Sequence, residues 1–376
     1  MTIEQNMLDA LIQHQVYSYR ASTKVVNELN ADFVSATNSF SNTLRDLLDS
    51  LTDAEKEALT QGKYTTDTLK EVKTAFDEWY NFMYVSMPET FAVSAVALAT
   101  YEALYVSKLY GEEVELSGNK ILANAKKTPV IGGQLYDDIW RNLADSTRQK
   151  ALYAVREGIN NGLNTAQIVN QIRGTRTKVG DKYQYVGGIT SDLVGEGTKK
   201  GAIDAAVRTI RSHVANTATN DTFEALGFDY VKFVSVIDGR STKGCAALDQ
   251  TVWKKGDPNI VYPPRHYNCR AILIGVDKDG RIDGKRPFVE SDKPVSKIPK
   301  DQRDGIIGQI DANKSFPEFF KTASASFQKE WLGETRYKLY KQGNYPISKF
   351  VDPLGNDYTI AELRSLDEKT FKELNL

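Results

Sequence analysis

Two cysteines in 376 residues constrain this chain more than any other feature. They allow one disulfide at most, or part of one metal site. An apolar core, and not a covalent framework, therefore has to hold the fold together. Both cysteines and one of only three histidines fall within 25 residues, as Cys245 and then His266-Tyr267-Asn268-Cys269. The other histidines are His14 and His213.

Thiolate sulfur and imidazole nitrogen are the ligands zinc prefers. A His-x-x-Cys pair on a tight turn aims both side chains at one ion, and Cys245 adds a third donor from the other arm of the loop. The fourth would be Asp238, Asp249, His213 or water. Such an ion would staple a segment poor in core residues. Two other readings stay open beside it. One is a pair of reduced, partly buried cysteines with a hydrogen-bonded histidine. The other is a Cys245–Cys269 disulfide.

The rest of the chain reads as α+β. Residues 1–160 carry helical apolar spacing: Met7, Leu8, Leu11, Ile12 and Val16, then Leu44, Leu47, Leu48 and Leu51, and later Ile139, Trp140, Leu143, Ala151 and Val155. Thr52 with Glu55 is a capping-box pattern, and Pro88 is placed to open a helix. Phe91–Leu109 is the most apolar stretch, but it contains Glu102 and Lys108 and many small residues. It is expected as a helix buried among others. Asn164-Thr165 starts a short helix ending near Gly174. Glycines and tyrosines over 175–198 predict a loop or hairpin insertion. Helix returns over 199–226 and stops at Gly227. Tyr230–Ile237 and Arg270–Val276 read as strands.

Five regions follow: 1–135, acidic and helical; 136–227, helical with a basic loop insertion; 228–280, a small β-rich Cys/His core; 281–300, a linker rich in Lys, Arg, Asp and Pro; and 301–376, a helical C-terminal segment. Met1–Ala10 has acids and no basic n-region, unlike a secretory signal. The chain contains no P-loop, no H-E-x-x-H and no G-x-S-x-G.

Near-neutrality, with 48 basic and 49 acidic side chains, hides an asymmetry. Residues 1–140 carry a net −9 and the remainder +8. Residues 141–211 and 231–300 are each net +6. Arg173, Arg176, Lys178 and Lys182 lie in the glycine-flanked insertion and suit sequence-independent contact with phosphates. Tyr183 and Tyr185 either pack a hairpin or stack on bases.

Residues 208–276 resemble the conserved core of the phage Mu F-like minor head proteins, the phage head morphogenesis family. The helix pattern reads Arg211-Ser212-His213-Val214-Ala215-Asn216, running to Glu224-Ala225-Leu226-Gly227. Asp238-Gly239-Arg240-Ser241-Thr242-Lys243-Gly244-Cys245 and Asp249-Gln250 follow, and Pro263-Pro264-Arg265-His266-Tyr267-Asn268-Cys269-Arg270-Ala271 closes the pattern. Phe327–Tyr337, Gly343 and Phe350-Val351-Asp352 extend the likeness, which covers roughly 200–365. Thr242 and Ala271 stand where the family often has its first and last cysteines, Gln250 replaces a glycine, and His213 stands where an acid is usual.

The resemblance implies a few-copy structural protein of a tailed-phage head. It would sit inside the capsid near the portal, contact portal and other head proteins and packaged DNA, act in head assembly, and in some phages leave with the genome. It implies no enzyme. Two other classes stand beside it. One is a metal-dependent hydrolase or toxin-like effector, with Cys245, His266 and Cys269 holding an ion and Asp238 or Asp249 as base. The other is a membrane-active ejection protein using Phe91–Leu109.

Overall fold

The computed structural model describes residues 5–197, 199–353 and 355–376. Its helices and strands run in the order α1 (Gln5–Ser50), α2 (Asp53–Thr60), α3 (Asp67–Asn81), α4 (Met87–Leu109), α5 (Gly118–Lys127), α6 (Tyr136–Asn160), α7 (Thr165–Arg173), β1 (Thr175–Val179), β2 (Lys182–Val186), α8 (Gly188–Val194), β3 (Gly195–Glu196), β4 (Lys199–Lys200) and α9 (Ala202–Ala225). The C-terminal part continues with β5 (Tyr230–Val234), β6 (Ile237–Asp238), α10 (Lys243–Leu248), β7 (Val252–Lys254), β8 (Ile272–Val276), β9 (Lys285–Val289), β10 (Ile307–Asp311), α11 (Phe316–Thr322), α12 (Ala325–Leu332), α13 (Glu334–Gln342), α14 (Ile360–Leu366) and α15 (Glu368–Glu373). Helix dominates and the sheets are small, so the class is α+β as expected.

Local chemistry accounts for the helix boundaries. Thr52 caps α2 in a full capping box with Glu55, and Asn164 does the same for α7 with Gln167. Gly174 ends α7 at φ +90, and Gly227 follows α9 at φ +81, where a side chain would be strained.

The chain forms two units that are not successive segments. One comprises Met1–Ser18, Ala99–Ser117 and Ala215–Leu376; the other comprises Tyr19–Leu98 and Gly118–Val214. This division is interleaved along the chain, unlike the five consecutive regions expected from the sequence. The reason is that α1, α4 and α9 are continuous helices that contribute to both units.

In the second unit, Phe40 stacks on Trp79 at 4.5 Å and meets Phe76 edge-on at 4.9 Å, while Phe91 lies against Tyr136 and Trp140. These rings pack α1 against α3 and α4 against α6. The first unit has three apolar clusters. Phe316, Phe319, Phe320, Phe327 and Phe350 centre one, and Phe223, Phe228 and Ile274 another. The third joins Val231, Phe233, Ala271 and Leu273 to both cysteines. β5 is the middle strand between β7 and β8, antiparallel to each. A second sheet has the order β10-β9-β6.

Three expectations change. The stretch 281–300 is not merely a linker: β9 pairs with β10 and with β6, and Arg286 on it is among the most buried side chains. The 301–376 segment includes strand β10 as well as helices. Phe91–Leu109 is buried on one side only. Phe91, Ala95, Ala99, Ala103 and Val106 are covered, while Val93, at 76% exposure, Ala97, Tyr101 and Leu104 face outward. Its one buried acid, Glu102, lies 2.7 Å from Nε2 of His14, whose ring stacks on Tyr105. The side chains of Met7, Leu8, Leu11, Ile12 and Val16 lie outside the described residues.

Candidate metal centre

Thr242 is the N-cap of α10, and its hydroxyl accepts from the Cys245 backbone N–H at 3.3 Å. Thr242 thus places Cys245 in the first turn of a helix. Cys269 arrives by a tight turn, its N–H donating to the His266 carbonyl at 3.0 Å. Asn268 takes φ +60 there, a conformation asparagine tolerates. Gln250 sits at φ +71 between α10 and β7, a left-handed conformation that favours glycine.

The turn and the helix bring three donors together. Cys245 Sγ lies 3.3 Å from His266 Nε2 and 3.8 Å from Cys269 Sγ. All three ligand atoms lie within 4.8 Å of one another. His266 Nδ1 is 3.0 Å from the Tyr267 carbonyl. A carbonyl only accepts, so Nδ1 carries a proton, and in the neutral ring Nε2 then offers its lone pair to the sulfurs, the tautomer a metal ligand needs. The donor set is therefore chemically suited to a soft divalent cation. Both cysteines are free and buried, so the structure holds no disulfide between them.

The thiols are electrostatically unequal. The hydrogen bond from Cys245, with the neighbouring imidazole, holds Cys269 well below the ordinary thiol range despite its burial. The same hydrogen bond, with burial, pushes Cys245 well up. Burial opposes a charged His266, yet Cys269 beside it raises its pKa above the usual value. A cavity of about 10 Å³ adjoins the cluster, lined in part by Cys245, His266, Ser241 and Arg270. It has room for about one water, the simplest fourth ligand.

Asp238 is not that ligand. Arg270 grips its two oxygens at 2.6 and 2.7 Å, and Arg240 adds contacts at 2.8 and 3.2 Å. Burial penalises this carboxylate, but the two guanidinium groups outweigh it and hold its pKa below the ordinary range. Asp249 is committed as well. It pairs with Arg286, and accepts from the backbone N–H groups of Ser235 and Phe316 at 2.7 Å each. His213 lies buried on α9, its Nε2 2.8 Å from the Ala125 carbonyl, and outside the Cys245–His266–Cys269 group. The sequence reading missed the partners that matter here. Arg270 stands in the motif with no local sign of its partner, and Arg286 lies in a stretch whose composition reads as linker.

The basic insertion is a hairpin of β1 and β2. Its register sets Arg176 opposite Tyr185 and Lys178 opposite Tyr183, so these four side chains share one face. Arg176 lies 4.8 Å from the centre of the Tyr183 ring, and all of β1 is exposed. Arg173 does not join them. It ends α7, is buried, donates to Asn42 Oδ1 at 3.1 Å and packs 4.6 Å from the Tyr185 ring centre. The Lys182 side chain lies outside the described residues.

Residues 149–274 match the family described as Phage Mu protein F like protein. The match runs from within α6 to within β8 and takes in the hairpin and the whole Cys/His cluster. The resemblance carried by the Asp238–Ala271 motif is therefore borne out over residues 149–274. No curated protein and no solved structure matches the chain.

Proposed function

We propose that this chain is a minor structural protein of a tailed-phage head. It sits inside the capsid at the portal vertex, contacts the portal protein and packaged DNA, and acts in head assembly and genome ejection. The observation carrying this reading is that the family match encloses both the Cys/His cluster and the exposed basic hairpin. A protein facing packaged DNA meets a dense array of phosphates, for which exposed Arg176 and Lys178 provide contacts without sequence preference.

Within this reading the cluster is a zinc staple. Cys245, His266 and Cys269 hold the ion between α10 and the loop entering β8, and a water completes the tetrahedron. The ion ties together a segment that otherwise relies on a small apolar cluster. It serves no catalysis. Asp238 and Asp249, the two carboxylates a hydrolase would use as base, are both neutralised by arginine.

Cryo-EM or cross-linking of assembled particles tests the proposal. Density or cross-links at the portal vertex support it; a position only on the outer shell overturns it. The exposed apolar side of α4, with Val93, Tyr101 and Leu104, favours a second reading as a membrane-active ejection protein. Liposome leakage above buffer would support that reading, and none would end it.

A further inference from the structure

Lys232 lies on β5, the middle strand of its sheet, and its side chain is buried. Its Nζ donates to the Gly280 carbonyl at 2.8 Å and to Asn313 Oδ1 at 3.2 Å. Asn313 follows β10, and its amide is clamped on every side. The oxygen also accepts from the Ile282 N–H at 2.9 Å. The nitrogen donates to the Ile282 carbonyl at 2.6 Å and lies 3.3 Å from Asp311 Oδ1.

Three parts of an acyl-transfer site thus converge on one amide. An amine stands against its carbonyl, whose carbon is one bond beyond the contacted oxygen. A backbone N–H polarises that oxygen and is positioned to hold negative charge on it. A carboxylate touches the nitrogen that would leave. Burial, reinforced by the charge of Arg286, pushes the Lys232 pKa down to about 8, against the pull of Asp249 and Asp311. A desolvated lysine of this kind keeps a working fraction of neutral, nucleophilic amine near neutral pH. Asn313 is only half-buried and Asp311 is exposed, which leaves a small leaving group a way out.

We propose that Lys232 and Asn313 become joined by an intramolecular isopeptide bond. Lys232 Nζ attacks Cγ of Asn313, forming the new C–N bond, with the charge on Oδ1 held by the Ile282 N–H. Asp311 accepts the proton lost by Nζ and returns it to Nδ2. The old C–N bond breaks, and Nδ2 leaves as ammonia. No oxidant or cofactor takes part. The link joins residues 81 apart and encloses all three cluster residues in its loop. It would secure this part of the fold whether or not the metal is bound.

Intact-mass spectrometry of the purified full-length chain tests the proposal without any variant. The expected result is a mass one ammonia below that of the sequence, and a branched tryptic peptide in which cleavage after Lys232 is blocked and Asn313 is attached. A full sequence mass with free Lys232 and Asn313 peptides overturns it. A succinimide at Asn313 would lose the same ammonia but leave Lys232 cleavable, and that outcome also overturns it. Lys232→Arg and Asp311→Asn should both restore the full mass; loss of ammonia persisting in Lys232→Arg would refute the assignment.

Discussion

Arg270 binds both carboxylate oxygens of Asp238, at 2.6 and 2.7 Å, from the position next to Cys269. The metal-donor turn and the buried carboxylate are therefore locked to each other through adjacent residues. Arg270→Ala leaves a buried carboxylate with the half-exposed Arg240 as its one remaining ion-pair partner among the described residues. It should cost about 3 kcal/mol, measured by denaturant unfolding. A loss below about 0.5 kcal/mol would mean the pair does not hold the fold.

The same pair sets a pH dependence. The folded Asp238 carboxyl is held below its ordinary value. Its stabilisation is therefore complete above the unfolded carboxylate range of about 4 and is lost as pH falls through the lower folded value. The stability of the parent chain should drop more steeply below about pH 4 than that of Arg270→Ala, followed by thermal melts at several pH values. Parallel curves would show that Asp238 does not set this slope.

Metal content separates the staple from its alternatives. Elemental analysis should find one zinc per chain, lost in Cys245→Ser, Cys269→Ser and His266→Ala. Chelation should lower the melting temperature of the parent alone. His213→Ala should keep the metal, because His213 is committed to the Ala125 carbonyl. Zinc-free parent protein would leave two reduced cysteines with a hydrogen-bonded histidine.

Gly244 admits no side chain. A Cβ there would lie 2.1 Å from the Gly355 carbonyl oxygen, a backbone atom that has to move for it to fit. Gly244→Ala should destabilise the protein by about 2 kcal/mol, within the usual range for overpacking. Calorimetry showing an unchanged melting temperature would contradict the close approach.

The hairpin makes a graded prediction for DNA. Arg176→Glu with Lys178→Glu should weaken binding to duplex DNA of any sequence and lower the slope of log K against log salt by about 2. Arg173→Ala should instead lower thermal stability, because Asn42 and Tyr185 lose their partner, and leave the salt slope unchanged. A salt slope unaffected by the double variant would remove this hairpin from the DNA contact.

The sequence by itself determined the local chemistry. Capping residues marked α2 and α7, apolar spacing marked the long helices, and Gly174 and Gly227 marked ends. The His266–Cys269 turn and the convergence of Cys245 upon it were legible because few residues of those types exist in the chain. Charge and composition were poorer guides. Arg173, expected to contact phosphates, and Arg286, within a stretch expected as a linker, are buried, since burial depends on which distant group meets the charge. Asn42 lies 131 residues from Arg173, and Asp249 lies 37 from Arg286. Only the tertiary structure decided that Asp238 belongs to Arg270, that Lys232 faces Asn313, and that the two units interleave along the chain. Pairings across such separations are chosen by packing and desolvation, which no local spacing encodes.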